Sequence, residues 1–165
     1  MSRGFVKEGD QEEVPLVTPR AFLPAGVENF VTSAGLAALL EEREALLSER
    51  QPYEGVDNND ARVQKNYLTA KLRLLEDRIR TARVLDFDPK RQKSIAFGAN
   101  VEYKELGSGK TSRFQIVGVD EANIEQGKIS FLSPMSKALM NKKTGDVVTV
   151  RTPRRELQIE IISIQ

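Results

Sequence analysis

The sequence predicts an α+β chain: an antiparallel coiled-coil hairpin followed by an antiparallel sheet that carries one helix. Three observations lead there. Leu68, Leu72, Leu75, Ile79 and Ala82 recur at spacings that alternate between four and three, which is a heptad seam. After Asp86 and Pro89 the apolar period drops to two, most clearly where Leu157, Ile159 and Ile161 alternate with Gln158 and Glu160. Between β-prone runs, Ser133-Pro134 opens a short helix: proline suits the first helical position, and the serine before it caps the free amides.

Composition narrows the chemistry. The 165 residues fit one domain, or a small domain plus an extended element. Charged residues make up 30% of the chain but the net charge is only +1, so the distribution of charge says more than its sum. With no cysteine there is no disulfide, thiolate nucleophile or sulfur-bound zinc. With no histidine, the usual general base and the commonest transition-metal ligand are missing too. The N-terminus is charged between Arg3 and Glu13 and lacks an apolar signal core. No segment approaches the ~20 apolar residues of a membrane span. A soluble, cytoplasmic chain without a membrane partner is expected.

Residues 1–31 mix charge with Pro15, Pro19, Pro24, Phe5, Phe22 and Phe30 and fit neither regular period. They read as an extended arm, ordered where its aromatics dock, or else as a flexible tail. Residues 32–85 read as the hairpin. Thr32 caps a first helix whose stripe is Leu36, Leu39, Leu40, Leu46 and Leu47, with Glu41, Glu42, Glu44 and Glu49 mostly outside it. Pro52 and Gly55 end that helix. A second starts near Asp57 or Asn59, either of which can cap it, and adds Ala61 to the seam. The pair either stands free or packs flat on the remainder; one apolar stripe on each helix favours the first. Helix one is mostly acidic, whereas helix two carries Arg62, Lys65, Lys71, Arg73, Arg78, Arg80 and Arg83 against Glu76 and Asp77. Part of that charge pairs across the hairpin; the arginine excess leaves room for a side that faces nucleic acid.

Residues 86–165 are the β-rich part. Strands over 94–105 and 111–120 flank the turn Gly107-Ser108-Gly109. Gly109-Lys110-Thr111 is similar to the end of a phosphate-binding loop. The required first glycine is replaced by Lys104, however, and a strand follows instead of a helix, so the nucleotide site is rejected. A short strand over 129–131 leads into the helix, where Met135, Ala138 and Leu139 share a face and Lys142 and Lys143 sit near the carboxyl end. Thr144-Gly145-Asp146 breaks it. The last strands, 146–152 and Glu156–Ile164, flank Pro153-Arg154-Arg155.

Over residues 84–165 the chain carries, in order, Phe97-Gly98-Ala99, Ile116-Val117-Gly118, Asp120-Glu121-Ala122, Ile129-Ser130, Ser133-Pro134, Ala138-Leu139, Gly145-Asp146 and Thr152-Pro153. In these words and their order it resembles the bacterial Gre family of transcript-cleavage elongation factors (GreA and GreB). The hairpin occupies the family's coiled-coil position, so the resemblance starts near Thr32 and leaves residues 1–31 outside.

The resemblance implies an FKBP-like domain over 86–165, without isomerase activity, that docks at the rim of the RNA polymerase secondary channel. Leu132, Ser133, Pro134 and Met135 would be its partner-binding loop. It further implies that the hairpin enters the channel. There its tip acids, Asp57 and Asp60 here, would act in the polymerase's catalytic centre by helping to hold a magnesium ion for hydrolysis of backtracked RNA. The chain would then be a monomeric accessory factor and not an enzyme. It would have no cofactor of its own, only the shared Mg2+, and Arg62, Lys65 and Arg73 would face the nascent RNA. Four departures stand out. Leu132 replaces an aspartate, Arg154-Arg155 replace a glycine-rich turn, and the second tip acid is aspartate where the family has glutamate. Each arm is also about one heptad, ~10 Å, shorter than usual. Two functional readings follow: a factor that stimulates cleavage, or a regulator that occupies the channel without promoting it. On the residues alone, Asp57 and Asp60 can equally serve to start helix two, where acids offset the macrodipole. A stand-alone prolyl isomerase is a weaker third reading, because charged docking loops do not make an apolar proline pocket.

Overall fold

The computed structural model describes residues 15–165. The first part of the predicted arm, residues 1–14 with Phe5, lies outside the described residues. β1 (Asn29–Val31) leads into α1 (Ser33–Arg50), and α2 (Asn59–Thr81) returns beside it into β2 (Ala82–Val84). Thr32 caps α1, its hydroxyl accepting the Gly35 amide at 3.0 Å. The cap of α2 falls between the two expected residues. It is Asn58, whose side chain accepts the Ala61 amide at 2.8 Å, and Asp57 is therefore left outside the helix.

Leu39, Leu46, Leu68, Leu72 and Leu75 are buried between the helices, as the seam requires. The stripe on α1 is narrower than its leucines suggest. Leu47 is 38% exposed, and Arg43 holds the heptad position between Leu39 and Leu46. At ~1.5 Å per residue the 18 residues of α1 span about 27 Å and the 23 of α2 about 34 Å. No helix among the described residues is long and apolar enough to cross a membrane.

The second layer is a five-stranded sheet of β3 (Asn100–Glu105), β4 (Thr111–Val117), β5 (Lys128–Ser130), β6 (Val147–Arg151) and β7 (Glu156–Ile164), ordered β5-β4-β3-β7-β6. All pairs are antiparallel except β4 with β5, where residues 118–127 form the crossover that a parallel pair needs. β3 starts later than its apolar pattern suggests. Ser94 bridges Lys143, and Ile95 exchanges 2.8 Å backbone bonds with Lys142 and Asn141, so this stretch ties down the chain after the helix. A bulge shifts the register of β7 from Tyr103↔Ile161 to Glu102↔Ser163, and the skipped Ile162 faces outward. One helix, α3 (Pro134–Leu139), lies against this core through the buried Leu139. It is only six residues long, since Asn141 takes a left-handed φ of 66°, and Lys142 and Lys143 lie beyond its end.

Hairpin and sheet have separate apolar cores, and β1 rivets them together. It pairs in parallel with β2, and its successive side chains face opposite ways. Val31 enters the hairpin core, whereas the Phe30 ring lies 5.8 Å from Phe97 and 5.7 Å from Phe131 on the sheet side. Buried Asn29 donates to the Arg78 carbonyl at 2.9 Å. From the sheet side, Glu121 accepts the Thr32 amide at 3.1 Å and the Thr32 hydroxyl, and so closes the start of α1. Gly35 makes room for it: a Cβ there would lie 2.1 Å from Glu121 Cδ. Asp86 accepts the amide and hydroxyl of Ser33, and these bonds hold its carboxyl below the usual range.

Candidate functional site

The loop between β5 and α3 is pinned from inside. The Ser133 amide donates to the Ser130 carbonyl at 2.9 Å and the Leu132 amide to Ser130 Oγ at 3.1 Å. The buried Ser136 hydroxyl donates to the same Ser130 carbonyl at 2.7 Å, and the Ser136 amide donates to the capping oxygen of Ser133 at 3.1 Å. Phe131 is fixed in the aromatic cluster. The result is a rigid backbone from which Pro134 projects, exposed, with Leu132 and Ser133 half-buried beside it. Met135 is different, because it packs partly onto the sheet core. A projecting loop on a fixed backbone suits recognition by a partner.

At the far end of the hairpin, Asp57 and Asp60 are both exposed. Asp60 lies in the first turn of α2, Asp57 precedes the cap, and the Asn58 side chain between them is turned onto the Ala61 amide. The two acids therefore do not share one helical turn. They lie on either side of the cap, and among the described residues no group of three or more potential metal-binding side chains includes them. An open cleft of about 510 Å³ adjoins Asp60, lined by Tyr53, Val56, Asn59 and Gln64.

The three basic residues expected to face RNA are not alike. Arg62 and Arg73, eleven residues apart, come round to within about 20° on one exposed face of α2. Arg62 donates to Asn59 at 3.1 Å, and among the described residues Arg73 takes part in no ion pair. Lys65 instead bonds Glu54 at 2.6 Å, and Arg50 approaches the same carboxylate at 3.3 Å. These cations, with the Lys65 bond foremost, hold the Glu54 carboxyl below its ordinary range. A carboxyl lowered on folding stabilises above its unfolded value, about 4.3, and that contribution fades as pH falls through the folded value. Lys65→Gln and Glu54→Gln should each lower the thermal midpoint at pH 7 slightly, and the double variant should lose no more than Glu54→Gln alone, which also gives up the Arg50 pair. Full additivity in calorimetry would show that the pair does not tie the tip.

Sequence reasoning missed Arg20. Its guanidinium bonds Glu42 on α1 at 2.8 Å and Asp120 after β4 at 3.0 Å. No periodicity or motif marks that arginine.

Known proteins share this arrangement of sequence. The family described as Transcription elongation factor, GreA/GreB, C-term, matches residues 90–165. The transcription elongation factor GreA of Nitratidesulfovibrio vulgaris is 33% identical over 148 residues, which cover 81% of this chain and 92% of the relative. That of Thioalkalivibrio sulfidiphilus is 32% identical over 151 residues, covering 82% and 96%. Among solved structures, GreA factor homolog 1 of Thermus thermophilus superposes with a TM-score of 0.41 at 28% identity, over 84% of this chain and 99% of that one.

Proposed function

Because the chain belongs to the GreA/GreB family of transcription elongation factors, we propose that it binds RNA polymerase through residues 132–135 and occupies the secondary channel with its hairpin. In this reading it regulates elongation by filling the channel and does not promote cleavage. The observation that carries the choice is the start of α2. Asn58 is spent as the cap, so Asp57 and Asp60 fall on either side of it and do not belong to one helical turn. Magnesium keeps several waters and takes one or two carboxylates, and a pair split by the cap, with Asp57 outside the helix, is not held at a fixed spacing by a shared turn.

A second reading has one observation in its favour. Both carboxylates are exposed at the tip, and among the described residues neither is engaged in an ion pair. In that case the polymerase supplies the remaining ligands and the chain lends one or two oxygens.

Purified protein added to a backtracked elongation complex at saturating magnesium separates the two. Occupancy predicts slower nucleotide addition, RNA of unchanged length, and the same behaviour from Asp57→Asn and Asp60→Asn. Shortened RNA that disappears in either variant would refute occupancy and establish cleavage stimulation.

A further inference from the structure

We propose that Arg20 is a positioning residue, the counter-ion that fixes the angle between hairpin and sheet by standing between two carboxylates, one from each. Its Nε donates to Asp120 Oδ1 at 3.0 Å, and its terminal nitrogens donate to Glu42 Oε1 and Oε2 at 2.8 and 3.0 Å. Asp120 belongs to the crossover after β4, and its side chain is 5% exposed. Its second oxygen is buried without a hydrogen bond, and Arg78 of α2 stands 3.5 Å from it. Glu42 is on α1. One guanidinium therefore holds together two like charges that belong to different parts of the molecule.

Arg20 itself belongs to neither part. It lies in the segment ahead of β1, which follows α2 and is fastened there by Arg78 donating to the Ala21 carbonyl. The position along the helix gives this contact its leverage. Glu121 grips the start of α1 at its cap, Thr32, which prevents sliding but leaves rotation about that point. Glu42 lies ten residues further on, about 15 Å along the axis, where a contact opposes rotation. Without Arg20, the half-exposed Glu42 and the buried Asp120 lose the cation they share, Arg78 is left as the partner of Asp120 alone, and the remaining like-charge repulsion opens the angle. A rotation of about 15° would move the far end of α1 by roughly 7 Å. The consequence for aiming the tip rests on the polymerase reading above; the angle itself does not.

The chain has no cysteine, so spin labels can be placed at Glu49→Cys on α1 and Thr149→Cys on β6, both exposed positions, and distances read on the free protein. One narrow distance is expected for the parent and for Arg20→Lys. Arg20→Ala should lengthen or broaden it by several ångströms, and Arg20→Ala with Glu42→Gln should restore it, because one of the repelling charges is gone. Simple loss of packing could not be rescued in this way. Glu42→Gln alone, at a half-exposed site that leaves folding intact, should keep the parent distance. An unchanged distance in Arg20→Ala, an opened one in Glu42→Gln, or failure of the double variant to close would each overturn the proposal. Failure of the polymerase reading would leave all five distances untouched.

Discussion

Gly118→Ala is expected to cost about 3 kcal/mol, although it adds a single methyl group. Gly118 follows β4 and is buried directly beneath β1; a Cβ there would lie 2.3 Å from the Phe30 carbonyl oxygen and 3.3 Å from Glu121 Oε2. The clash is with backbone, which cannot step aside as a side-chain end can. β1 would have to lift, and Phe30 would withdraw from Phe97 and Phe131. The Thr32–Glu121 bonds that close α1 depend on the same approach. Urea unfolding should show the midpoint falling sharply, with the sheet and hairpin no longer melting together. A loss under about 1 kcal/mol would mean that β1 is not clamped against the sheet. Gly35→Ala should be milder, since the atom in its way is the movable carboxylate of Glu121.

What the sequence discloses follows from how local each signal is. The seam of α2, the Ser133 cap and the ends of β7 are written in consecutive residues, and all three appear where the pattern places them. The register bulge at Ile162 is not, because it depends on how β3 meets β7. At the tip, Asp57, Asn58 and Asn59 are equally good caps by residue type, so only the fold selects Asn58. β1 and β2 have three residues each and pair across the whole hairpin, too short for alternation to show. Glu121 was visible as part of a recognisable word, but its grip on Thr32 spans 89 positions. Lys65 could be read only as a charge; its ion pair with Glu54 depends on how the turn folds back on α2. Arg20 lies furthest from local reading, since its two partners come from different parts of the chain.

The docking loop should show the largest functional effect. Ser133→Ala with Pro134→Ala is expected to weaken polymerase binding roughly tenfold to a hundredfold, about 1.4–2.7 kcal/mol. Pro134 is exposed at the apex of a backbone already held by Ser130 and Ser136, so its ring is available for contact and its loss spares the core. Ser133 has two roles, since its oxygen also caps α3. Capping alone is worth about 1 kcal/mol of folding stability, so a weakened loop could mimic a lost contact. Ser133→Asp separates the two, because aspartate caps as well as serine does while presenting a different surface. If the loop binds polymerase, Ser133→Asp should melt like the parent and still bind poorly. Parent-like binding by Ser133→Asp together with Pro134→Ala would move the docking surface away from residues 132–135.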